Sequence, residues 1–149
     1  MAYDRQMKKI KFPIANVSSK NWDSDEDVYI LFDEYIYSKD EVFFKKDFLN
    51  NAYVDSNGEV FKITDRILPN RVRQILSFLP NFCKVELIFT ETGENMTIEA
   101  IRSHIIRQVE KLEKNEITTQ WIKNVRNAST IEHVISGEDT RPNAKSPKT

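Results

Sequence analysis

The sequence predicts an α+β domain: an antiparallel sheet of four to six strands, with hairpins in the N-terminal half, packed against three or four helices, mostly C-terminal. Three observations lead there. β-branched and aromatic residues crowd residues 28–64, with turn residues between them. Beyond Thr97, apolar residues recur at helical spacing. The chain of 149 residues, 40% hydrophobic with nine phenylalanines, can fill one core but not two comfortable ones.

Residues 1–22 are polar and basic, with Ile10, Phe12 and Ile14 alternating against Lys9, Lys11 and Pro13. Pro13 has no N–H to donate, so this stretch is expected to be an edge strand or a loosely attached arm. Residues 23–137 are expected to form the single globular unit. Residues 28–37 (VYILFDEYIY) read as its best strand, with Val28, Ile30, Phe32 and Ile36 on one face. Tyr29, Leu31, Tyr35 and Tyr37 fall on the other, and apolar character on both faces suits a central position. After a turn at 38–40, Val42, Phe43 and Phe44 read as a returning strand. Residues 47–51 fit a helical turn or a loop. Residues 52–64 then carry a hairpin, because Asn57-Gly58 between β-prone flanks tolerates positive φ at both positions.

Pro69 is suited to a first helical turn, and Leu68, Val72, Ile75, Leu76 and Leu79 form an apolar stripe that Pro80 ends. Cys83, Val85, Leu87 and Phe89 alternate with Lys84, Glu86, Ile88 and Thr90 as in a strand, and residues 92–95 are turn-like. Thr97 is placed to cap a helix reaching about Lys114, with Ile98, Ile101, Ile105, Val109 and Leu112 inward. Thr118 or Thr119 opens the next helix, on which Trp121 and Val125 share a core-facing side. Ser129-Thr130-Ile131-Glu132 reads as a capping box before a short helix that stops at Gly137. Residues 138–149 are polar, with two prolines and no apolar anchor, and are expected to be a disordered tail.

Composition narrows the chemistry. Three glycines leave almost no material for a phosphate-cradling loop. The single cysteine, Cys83, cannot form an internal disulfide and reads as a small core residue. No apolar stretch follows the basic residues near the N-terminus, so no ordinary signal peptide is expected there, and no segment approaches a membrane span. The expected location is the cytoplasm, with no membrane partner. A net charge of −1 gives no global field for nucleic acid. Arg71, Arg73, Arg102 and Arg107 read as the solvated faces of helices, and nucleic acid is not the expected partner.

No constellation announces catalysis, and no cofactor is expected. His104 and His133 lie on different helices, so metal binding would require tertiary convergence. The Asp55-Ser56-Asn57-Gly58 turn fails as an EF-hand loop, since Tyr53 and Thr64 would occupy the positions that need carboxylates. Glu86 is followed by Ile88 where a strand nuclease would carry lysine. Adjacent acids such as Asp33 and Glu34 point to opposite faces of a strand and cannot share a proton.

What stands out is charge asymmetry. Residues 23–41 hold Asp23, Asp25, Glu26, Asp27, Asp33, Glu34, Asp40 and Glu41 against Lys39 alone, a local net of −7 in a nearly neutral chain. The ordinary meaning is a solvated loop and hairpin ends. The functional meaning is a docking surface for a basic protein, with Tyr29, Tyr35 and Tyr37 as aromatic anchors inside an acidic rim. The residues expected to touch the partner are Asp23, Asp25, Glu26, Asp27, Asp33, Glu34, Tyr35 and Tyr37. By type, the chain fits a bacterial immunity protein that binds and neutralises a toxin domain. An adaptor or assembly subunit of a phage or secretion system is the alternative, and a hydrolase with an unrecognised site is the third reading.

Overall fold

A computed structural model describes residues 9–18, 22, 28–68 and 84–139. Six antiparallel strands form one sheet: β1 (Ile14–Asn16), β2 (Ile30–Leu31), β3 (Tyr35–Ile36), β4 (Ala52–Val54), β5 (Glu59–Ile67) and β6 (Val85–Asn95). Among the described residues four helices accompany them: α1 (Glu41–Asp47), α2 (Ile98–Glu110), α3 (Glu116–Asn127) and α4 (Ile131–Ser136). The architecture is α+β, with three of these helices after the last strand.

The strand order β2-β1-β4-β5-β6-β3 puts two strands that are close in sequence at opposite edges of the sheet. A flat six-stranded sheet would hold its edges about 24 Å apart. From Leu31 to Tyr35 the chain takes four Cα steps, which reach at most about 15 Å. The sheet therefore curls, and residues 32–34 bridge its two edges.

Curling creates two apolar compartments. The concave side buries Ile14, Tyr53, Phe61, Ile63, Val85, Leu87 and Phe89. On the convex side Ala15, Val54 and Val60 meet Ile101, Ile105, Val109, Val125, Val134 and Ile135 of the helices. Neighbours in one strand, such as Tyr53 and Val54, thus serve different cores, as the period of two requires.

Several expectations change here. The stretch expected as an arm or edge strand contributes β1, which pairs with β2 on one side and β4 on the other. Pro13 precedes β1 across a cis bond from Phe12, and so lies outside the ladder it would interrupt. Residues 28–37 are not one central strand but two short edge strands. Asp33 Oδ1 accepts the Tyr35 N–H at 3.0 Å, a local bond that turns the backbone between them.

The returning strand expected at Val42 to Phe44 is α1. Asp40 caps it, Oδ1 accepting from the N–H of Val42 at 2.9 Å and of Phe43 at 3.3 Å. Phe44 on α1 and Phe48 just beyond it, four residues apart, then both enter the concave core.

The β4–β5 hairpin forms where the sequence places it, with a different turn. Gly58 N–H donates to Asp55 O at 2.9 Å and Asp55 N–H to Glu59 O at 2.8 Å, enclosing a three-residue loop. Gly58 (φ +86) takes the left-handed position, and Asn57 does not. The Asp55 carboxylate is fully buried and accepts N–H bonds from Lys11, Asn57 and Glu59.

β6 continues through the expected turn at 92–95. There Phe61 pairs with Glu91 and Glu59 with Asn95, so β6 bulges against β5, with Gly93 at φ +82.

The helical half follows its caps. Thr97 accepts from Ala100 N–H as expected, and α2 ends with Lys111 as its cap, slightly short of Lys114. Asn115, rather than Thr118 or Thr119, caps α3, in a reciprocal box with Thr118. Thr130, one residue later than the box placed it, caps α4, and Gly137 at φ +70 ends it. Arg102 of α2 donates from Nη1 to the carbonyls of Val125, Arg126 and Ala128, joining α2 to the end of α3. The helix expected over 68–79, Cys83 at the expected strand start, and the tail beyond Asp139 lie outside the described residues.

Candidate functional site

The bridge between the sheet edges is anchored from below and open above. Tyr53, fully buried, donates its hydroxyl to Val28 O at 2.6 Å. Burial pushes that phenol's pKa up, so the group stays a neutral donor. Asn16 N–H donates to Tyr29 O and Leu87 N–H to Glu34 O, each at 2.7 Å, so both flanks are tied into the sheet.

Between the bridge and α1 lies a groove of about 410 Å³. Val28, Leu31, Ile36 and Phe48, all members of the concave core, form its floor. Phe32, Asp33, Tyr35 and Tyr37 stand around it. Phe32 is 65% exposed and Tyr37 57%. Large apolar side chains so open are unusual when grouped, since each leaves hydrocarbon in water.

The protein's own cations gather at this corner. Lys84 Nζ sits 4.2 Å from the centroid of the Tyr35 ring. The Arg66 guanidinium lies 5.0 Å from the Phe44 ring centroid, and its Nη1 donates to Lys39 O at 3.1 Å. Glu34 foremost, then burial, then Glu86 and Asp33 raise the Tyr35 phenol above its ordinary pKa.

The structure thus brings Asp33, Tyr35 and Tyr37 to one groove. Glu34 is half-buried beside it, linked to β6 through its carbonyl. Tyr29 does not line the groove: its ring stacks on Trp22 with centroids 5.2 Å apart, and it packs against both cores. Asp23, Asp25, Glu26 and Asp27 lie outside the described residues, as do Arg71 and Arg73. Sequence reading did not assign Phe32 or Phe43 to the site, nor Lys84 to the Tyr35 ring. The Asp40 cap followed by Val-Phe-Phe-Lys-Lys was the available signal for α1, and hence for the groove's second wall.

The described residues also enclose hollows elsewhere. A broader depression of about 760 Å³ lies along α3, where Ile117 is 74% exposed. Trp121 lines it and packs against the convex core without being fully buried, while Val125 on the same side of the helix is fully buried. Another, about 420 Å³, lies between the sheet and α2 beside His104, Glu94 and Arg107. His104 and His133 do not converge: His104 Nε2 donates to Asn16 O at 3.0 Å, and His133 faces Glu138 at 3.8 Å. Among the described residues no three His, Cys, Asp or Glu side chains are grouped to hold a metal ion, and no helix is long and apolar enough to cross a membrane.

The chain matches no protein-family model, no curated protein and no solved structure.

Proposed function

We propose that this protein is a non-catalytic interaction domain that binds a basic protein partner through the groove at Phe32 to Tyr37. The observation that supports it most is the grouping of open Phe32 and Tyr37 around Asp33 over an apolar floor. Aromatic side chains of this kind supply large contact area at little conformational cost, and an acidic rim steers a basic partner. The acidic run at residues 23–27 immediately precedes Val28 in sequence and belongs to the same proposal. The biological form we infer is an immunity-type protein that neutralises a basic toxin domain by covering its surface.

The test is capture of the partner from the native host, followed by association kinetics at low and high salt. Association should slow as salt rises and with Asp33→Lys, while Tyr37→Ala should chiefly speed dissociation. An acidic partner, or kinetics indifferent to salt and to both substitutions, overturns the reading.

A further inference from the structure

We propose that Tyr35 and Asp33 form a subsite for an arginine side chain of the partner, and that Lys84 is the chain's own occupant, displaced on binding. The inference rests on the groove being the partner site and names the chemistry of its recognition. A cation over an aromatic face is attracted by the ring's electron-rich surface, and Lys84 already occupies that position at 4.2 Å. Lys84 is exposed and, among the described residues, has no hydrogen bond or ion pair to hold it there. Arg66, by contrast, is held by the Lys39 carbonyl above a buried Phe44 and is not exchangeable in the same way.

Asp33 is exposed on the same groove, and its Oδ1 accepts the Tyr35 N–H, which fixes the carboxylate beside that residue. An incoming guanidinium can stack on the phenol while donating to the carboxylate, two contacts that a planar fork satisfies better than an ammonium point charge does. The carboxylates of Glu34, Glu86 and Asp33 all act on the Tyr35 phenol, and so many acids near one ring favour exchange of one cation for another over an empty site. Lys84 therefore acts as a weak internal competitor: it keeps the ring covered in the free protein and sets a threshold that only a better-matched cation passes.

The experiment titrates isotope-labelled protein with a short peptide alternating leucine and arginine, and with its counterpart bearing neutral citrulline in place of arginine. The ring resonances of Phe32, Tyr35 and Tyr37 report binding. The arginine peptide should perturb all three and bind about tenfold more tightly than the citrulline peptide. Lys84→Met should tighten the arginine peptide severalfold and leave the citrulline peptide unchanged; Asp33→Asn should weaken only the arginine peptide. Equal affinity for the two peptides, or an arginine affinity indifferent to Lys84→Met, overturns the subsite while leaving the groove as a docking site. If neither peptide moves the three rings, the groove reading itself falls.

Discussion

The imidazole of His104 is half-buried between α2 and the sheet, donating to Asn16 O and meeting the Trp22 indole edge-on at 6.1 Å. Burial lowers its pKa, Arg107 and Lys111 lower it further, and the bond to Asn16 opposes them without prevailing. The folded chain therefore binds a proton less readily than the unfolded one. This contribution to stability is complete above the ordinary histidine pKa of about 6.5 and is lost as pH falls from there through the lower folded value. Urea midpoints for wild type should drop between pH 7.5 and pH 5.5 more than those for His104→Gln; equal drops would place the pH dependence elsewhere. Gly137 carries a second constraint. It adopts φ +70, and a Cβ there would lie 2.8 Å from Trp121 Nε1. Gly137→Ala should cost about 1–3 kcal/mol in thermal denaturation, because strain and contact act together.

Among the elements, α1 and the bridge were the least legible and matter most to the groove. Val42-Phe43-Phe44 has strand composition, yet Asp40 supplies two of the orphan N–H bonds of a helix start, and Phe44 and Phe48 lie one turn apart on its inner side. Local capping overrode β propensity. Asp40→Ala should cost about 1 kcal/mol and weaken partner binding, since α1 carries Phe43 and Phe48 to the groove. Binding undiminished at full occupancy of the folded state would detach α1 from the site. By contrast, α2, α3 and α4 were readable within a few residues, because long apolar periodicity and side-chain caps act locally. The cap of α3 escaped notice because Asn115 bonds Thr118 and not an acidic partner.

At the scale of the molecule, the two cores share β1, β4 and β5, so neither side of the sheet is free to melt alone. Ile63→Ala removes packing from the concave core and Ile105→Ala from the convex one. Each should cost about 2–5 kcal/mol and leave a single unfolding transition, whether followed by tryptophan fluorescence or by far-ultraviolet circular dichroism. Two separated transitions would mean that the helices and the curled sheet fold as independent units.

The sequence by itself determined the α+β class, the helical second half, the hairpin over Asp55 to Gly58 and the candidacy of Asp33, Tyr35 and Tyr37. These depend on periodicity, turn chemistry and charge, which a residue carries with its near neighbours. Only the tertiary structure decided that residues 28–37 split between opposite edges of one sheet and that Tyr29 turns away to Trp22. It alone set Phe32 on the groove and Lys84 over the Tyr35 ring. The physical reason is that a strand's alternation says which residues share a face, but not which strand lies beside it. Pairing is a long-range choice, made here by a sheet that curls until three residues can span its edges.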